Sequence, residues 1–359
     1  MALPFILGAA ALAAAGYGAK KGYDGYQDKS RADEIVKDAQ TKYEGAKQAY
    51  DTQNQYTNQD LESLGTLQLK IGSDFGEFRK LADKLLDKIN QSRSGKDLAI
   101  NVPQHRLEAI KRLELSATTY LGQVVGAGVG GAAAAYAVYG GVMAFAAAST
   151  GTSIATLSGA AATNAALAAI GGGSLAAGGL GMAGGTVILG GVVAAPVLAI
   201  AGWAYASYAE EALDKARESR EQVDSAVKKM AACVTTLRRT SRYVQKVQSV
   251  TQRIYKEFLQ YFDELKSMNT FVEAGGNIQE KSDETLHIIA NGYQMAAILT
   301  DIITTPLFKP KTNAQNKAVL DADGKAELLI GDNGLPVLNA QALDNAVDEG
   351  RQKLNRSIG

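Results

Sequence analysis

Apolar residues recur along this chain at helical spacings in two long arms, and between the arms the polar half of the pattern disappears. Leu61, Leu64, Ile71, Phe75, Phe78, Leu85 and Ile89 follow one another at steps of three, four or seven, with Gln68 and Ala82 in the intervening slots, which is one face of a helix. Earlier, Val36, Tyr43 and Tyr50 recur every seven residues and lead through Thr57 to Leu64, so a polar helical region is expected from about Ser30 to Asn90. Gly65, Gly72 and Gly76 lower its helix propensity locally. Ser-Gly-Lys-Asp and Pro103 are turn chemistry and predict a break over Ser92 to Pro103, with a helix restarting near Gln104.

The second arm carries the clearest register: Val223, Val227, Met230, Val234 and Leu237, then Val244, Val247, Ile254, Phe258, Tyr261, Leu265 and Met268. These steps hold one heptad frame, interrupted only by Ser241 and Thr251, and predict a coiled-coil-like helix from Glu210 to about Val272. At 1.5 Å per residue it would span about 90 Å. Ala274-Gly-Gly-Asn ends it, and a shorter apolar helix is expected from about Ser282 to Thr304, stopped by Pro306. Beyond that, AVLDADGKAELLIG predicts a small β-hairpin around Asp-Gly, and Asn339 to Asn355 a closing amphipathic helix. Asp321 and Asp323 lack the remaining ligand spacing of an EF-hand, so a turn is preferred to a calcium loop.

From Leu115 to Ala209 there are 95 consecutive residues without Asp, Glu, Lys or Arg, in a chain that holds 37 basic and 37 acidic side chains. A helical membrane crossing needs about 20 apolar residues. Three segments have that character: Tyr120 to Ala148, Ile154 to Ile170, and Leu175 to Ala206, with Gly171-Gly-Gly-Ser as a turn. Gly122, Gly126, Gly130 and Ala134 recur at every fourth position, as do Gly181 with Gly185, and Gly191 with Ala195 and Ala199. Such stripes of small residues let helix backbones approach closely in lipid and are the candidate helix-pairing sites. Tyr120 near the entry, and Trp203, Tyr205 and Tyr208 near the exit, are the candidate interfacial aromatics. Ala and Gly dominate the zone and commit less strongly to lipid than Leu, Ile or Phe, which suits a segment that lives first in water and later in membrane. A buried helical hairpin in a water-soluble bundle is the plainer alternative.

The balanced charge excludes a general affinity for nucleic acid. Cys233 is alone and falls among the Val and Leu of the second arm, so it is read as core, and neither an intrachain disulfide nor a Cys-based metal site can form. His105 and His287 lie on separate segments without metal-ligand spacing and are read as structural. GAGVGG follows no strand, Gly95-Lys96 is followed by Asp rather than Ser or Thr, and Glu210 with Glu211 opens a helix whose dipole they complement. No enzyme, cofactor or metal is expected. The start, MALPFILGAAALAAAGYGAKK, is apolar but lacks the basic n-region of a secretory signal, its first Lys coming at position 20.

The order of a long helical arm, an uncharged hairpin and a second long arm resembles the α-helical pore-forming toxins of the cytolysin A and haemolysin BL type, over roughly residues 30 to 305 and by organisation only. In that family a rod-like bundle shields an apolar head segment that detaches, inserts and oligomerises. The chain is also similar in flavour to bacterial proteins in which coiled coils adjoin glycine-rich membrane segments. The expected organisation is a mainly α, elongated bundle: an apolar N-terminal segment (1–20), a first arm (21–114), an uncharged insertion region (115–209), a second arm with a short apolar helix (210–305), and a tail containing the β-hairpin (306–359). The expected function is membrane permeabilisation, as a toxin or defence effector. Its expected partners are the lipid bilayer and further copies or related subunits, with no nucleic acid, and its expected location is at a membrane, after a soluble stage. A constitutive membrane-anchored coiled-coil scaffold or signalling protein is the alternative, and a soluble structural bundle the third reading.

Overall fold

The computed structural model describes residues 19–92, 102–124, 133–134, 136–138, 209–315, 319 and 327–358. Among these the chain is mainly helical: α1 is Ala19–Ser92, α2 Gln104–Val124, α3 Ala209–Glu273, α4 Ser282–Ile303 and α5 Ala340–Ile358. The described residues divide into two compact units. One holds α1 up to Gln55, α3 up to Arg238, and Asp332–Leu335; the other holds the remainder. The apolar residues before α1 lie outside the described residues.

In the first unit Ala32, Ala39, Tyr43 and Tyr50 of α1, together with Ala216, Val223, Ala226, Met230, Cys233, Val234 and Leu237 of α3, are buried. Val36 and Val227 are only half-buried, and the small Ala32 and Ala39 share the α1 side of this core. Asp38 feels the charge of Arg220, Tyr50 is affected by Cys233, and Arg238 donates to Gln53 at 3.3 Å, so partner numbers rise together along α1 and α3. The two helices are therefore parallel in this unit. Asn333 fastens the tail to α3, donating from Nδ2 to Thr236 Oγ1 at 2.6 Å while its carbonyl accepts the Cys233 thiol at 3.4 Å.

The second unit repeats the parallel arrangement. Asp60 accepts the Ser241 hydroxyl and both carboxylate oxygens accept Gln245 at 3.1 Å; the Tyr255 hydroxyl donates to Asp74; and Lys84 meets Glu273 at 2.6 Å. Between these polar contacts the anticipated apolar row, from Leu61 to Ile89, is buried without exception, including Gln68 and Ala82. Phe258 centres an aromatic cluster, its ring centroid 5.1 Å from Phe75 and 5.3 Å from Phe78; Phe78 also meets Tyr293 edge-on at 5.2 Å. Burial of each such ring removes roughly 150–250 Å² from water, which makes this cluster the main anchor of the unit.

α3 stops where the sequence turns to glycine. Gly275 has φ +91°, and the amides of Gly276 and Gly275 donate to the carbonyls of Phe271 and Val272 at 3.0 and 3.1 Å, a Schellman closure that an L side chain at Gly275 would strain. α4 then returns antiparallel to α1: Gln279 donates to the Ile89 carbonyl at 3.2 Å and Gly292 lies against Phe78. α5 lies over α3 and α4, with Lys246 bound to Asp344 at 2.6 Å and Gly350 beside Ile254, Ile298 and Ile302.

The tail holds only Val319 and residues 327–331 of the expected two-strand hairpin among its described residues. Its described residues form no named strand, only isolated antiparallel bridges: Phe308 with Leu338, Pro310 with Leu328, and Ile330 with Pro336. Lys309, Val337 and Leu329 close a triangle in which each amide donates to the next carbonyl at 2.8 to 2.9 Å, and Lys311, Glu327 and Val319 close another at 2.7 to 2.8 Å. Pro310 and Pro336 have no amide hydrogen to donate, so no ladder propagates through them. The Asp-Gly turn itself lies outside the described residues.

Candidate membrane-insertion segment and its seat

The uncharged zone begins inside the second unit. α2 crosses from charged to uncharged sequence at Glu114 and Leu115, and its inward face continues as Ala117 and Tyr120, both buried. Ala134, Tyr136, Ala137 and Val138 are buried as well. The Tyr120 and Tyr136 ring centroids are 5.4 Å apart.

These residues sit on glycines of α1. A side chain at Gly76 would meet Glu114, one at Gly72 would collide with Ala117 and stand 3.1 Å from the Leu113 carbonyl oxygen, and one at Gly65 would fall on the Ala133 carbonyl. Moving down α1 numbers thus means moving up the uncharged segment, so it runs antiparallel to α1. The three glycines lie at steps of seven and four, which makes a row on one helix face. α1 stays helical through all of them because the surface they offer is covered at once. By propensity alone they are weak points; their spacing is the signal that they form a contact.

An ion pair closes the seat. Arg79 donates from Nε and Nη2 to the two Glu114 oxygens at 2.8 Å each, with Arg79 32% and Glu114 12% exposed. The Glu114 hydrogen bond raises the already high guanidinium pKa of Arg79 further. Asp83, 3.4 Å from Arg79, has its carboxyl pushed up by burial, an effect that Arg79 partly offsets. The start of α2 is tied down separately, Arg106 and Lys353 both reaching Asp301, at 3.1 and 3.2 Å.

No known protein-family model matches the chain, and neither a curated protein nor a solved structure is similar to it. The site's chemistry therefore rests on the residues alone.

Of the residues singled out in sequence, Tyr120 and Ala134 are buried in this seat rather than standing at a surface, and Gly122 lies in the last turn of α2. Gly126, Gly130, Gly181, Gly185, Gly191, Ala195, Ala199, Trp203, Tyr205 and Tyr208 lie outside the described residues. Among the described residues no helix is long and apolar enough to cross a membrane. Cys233 is buried, as expected for a core thiol, and burial raises its pKa. His105 and His287 are exposed on α2 and α4. No group of His, Cys, Asp and Glu among the described residues is arranged to hold a metal ion.

Proposed function

We propose that this chain is a membrane-inserting helical protein in which α1 and α4 cover part of the uncharged zone until it transfers to lipid, where small-residue stripes pair the inserted helices into oligomers that permeabilise the bilayer. The observation that carries the reading is the 95-residue uncharged zone, and its seated beginning is what a covered inserting segment would need. Side chains such as Tyr120, Tyr136 and Val138 exchange one apolar surrounding for another on transfer, so the move forfeits little hydrophobic free energy. On this reading the protein carries no enzymatic activity and needs no cofactor.

The test is dye release from liposomes by protein purified without detergent, with the vesicles sedimented from the same sample. Release with co-sedimentation is expected; soluble protein that neither binds nor releases overturns the reading, and a requirement for detergent favours a constitutive anchor. A clamp then tests the transfer step. A Cβ at Gly76 would stand 3.1 Å from the Glu114 Cγ position, about the distance a disulfide sets between one Cβ and the opposite sulfur. Gly76→Cys with Glu114→Cys, in a Cys233→Ser background, should be inactive when oxidised and active when reduced. Equal lysis in both states would exclude release of α2 from its seat.

A further inference from the structure

Between Ser225 and Lys256 α3 has eight Lys and Arg residues and no Asp or Glu. In the second unit five of them, Arg239, Arg242, Lys246, Arg253 and Lys256, follow one another at steps of three, four, seven and three, so they share one face of the helix over about 25 Å. Arg239, Arg242, Arg253 and Lys256 are exposed, and none of the four forms an ion pair among the described residues. This differs from α1, where Lys42, Lys47 and Lys70 each pair with an aspartate four positions away. Three carboxylates beside the stripe are already engaged, Asp60 with Ser241 and Gln245, Asp74 with Lys70 and Tyr255, and Asp344 with Lys246 and Tyr243, while Glu257, four positions after Arg253, forms no ion pair among the described residues. An uncompensated row of cations on a chain of zero net charge calls for an external polyanion.

We propose that this face of α3 docks on the headgroups of an anionic lipid bilayer. The choice of lipid follows from continuity: α3 starts at Ala209, the last residue of the uncharged zone, so the helix that bears the stripe is the one the zone leads into. The proposal therefore rests on the zone being membrane-inserting. Electrostatic recruitment would bring the protein to an anionic surface before any apolar segment transfers, and it would weaken with salt.

The test uses the full chain and a variant carrying Arg239→Gln, Arg242→Gln, Arg253→Gln and Lys256→Gln, positions whose side chains are exposed and unpaired, so the fold should be retained and circular dichroism checks it. Co-sedimentation is measured with vesicles of phosphatidylcholine alone and with vesicles containing phosphatidylserine, at low and high salt, and dye release is followed in parallel. Wild type should prefer the anionic vesicles and lose that preference in salt, while the variant should bind them at least about tenfold more weakly. Equal binding by the folded variant, or no preference for phosphatidylserine, overturns the docking surface. A DNA duplex bound through these residues, with vesicle binding independent of them, overturns lipid as the partner. Dye release without charge dependence leaves insertion standing and removes the stripe; charge-dependent binding without release upholds the stripe and removes insertion.

Discussion

A single substitution, Gly→Ala, should change sign along α1. In an exposed helix interior it stabilises by about 0.5–1 kcal/mol, because alanine gives up less backbone freedom. Gly45 is exposed, and nothing lies within 4 Å of the place a methyl would take, so Gly45→Ala should show that gain. At Gly76 the nearest atoms belong to the Glu114 side chain, 3.1 to 3.2 Å away, which can shift, and the outcome should be close to neutral. At Gly72 the methyl meets Ala117 and the backbone of α2, and overpacking of about 1–3 kcal/mol should outweigh the helix gain. At Gly65 it falls on the Ala133 carbonyl, a backbone atom with no rotamer to escape to, so the segment must lift and expose Ala134 and Tyr136. A ring the size of Tyr136 hides roughly 150–250 Å², worth about 4–6 kcal/mol as an upper bound, so a net local loss of about 2–4 kcal/mol is expected. Hydrogen exchange read by mass spectrometry on peptides covering α2 and residues 133–138 measures this locally, and denaturant unfolding gives the global value. If Gly65→Ala and Gly45→Ala shift stability in the same direction, the seat is wrong.

Two further outcomes follow from the side chains. Glu114→Gln removes the charge and sets an amide NH2 in place of one of the two oxygens that accept from the partly buried Arg79, and should destabilise the second unit by about 1–2 kcal/mol in denaturant melts, more than the loss of an exposed pair such as Lys42 with Asp38. Burial pushes the Tyr50 phenol up to about 12 and raises Tyr255 and Tyr293 further, so their neutral forms favour the folded state; that stability is complete below the ordinary phenol value near 10 and is lost as pH rises through the folded values. Absorbance titration of tyrosine ionisation alongside circular dichroism should show unfolding and phenolate formation rising together above about pH 10, and free titration of these tyrosines in a folded protein would contradict their burial.

Periodicity showed which side of each arm is buried. It carried the α1 row from Leu61 to Ile89 and most of the α3 heptad, and Ser241 and Thr251 hold their places in that frame as buried polar residues. Direction was not legible, since a heptad reads the same whether its partner runs parallel or antiparallel; only contacts such as Asp60 with Ser241 and Asp74 with Tyr255 fix it. Gly65, Gly72 and Gly76 looked like defects because propensity counts what glycine lacks and takes no account of what fills the space. Tyr120 was ambiguous for a related reason: an aromatic at the edge of an apolar run suits a membrane interface and a core equally, and the Tyr136 ring it meets in the seat is distant in sequence. Prolines were visible from the start, yet their effect on the tail depended on where Pro310 and Pro336 fall in the pairing.

The course of α2 bears on how much of the uncharged zone can enter a bilayer. In the second unit α2 and the first part of the zone run back along α1 against Gly76, Gly72 and Gly65. Should that part stay seated, the apolar segments left for lipid are Ile154 to Ile170 and Leu175 to Ala206, enough for two crossings with both flanks on one side. If it leaves, a third becomes available, at the cost of the Arg79 to Glu114 pair and of an uncovered glycine row. Because apolar groups gain nothing by choosing protein over lipid, that ion pair is the main term holding the segment back, and on the proposed reading insertion of the rest is enough to overcome it. Carbene labelling of the unsubstituted chain, read by mass spectrometry on the peptide that holds Ala134 and Tyr136, reports the result. Both are at most 2% exposed in the seat, so neither a water-borne nor a lipid-borne carbene should label them before insertion. After insertion, labelling from the lipid-borne carbene is expected; protection that persists in vesicles actively releasing dye would fix the inserting segment at the residues beyond Val138.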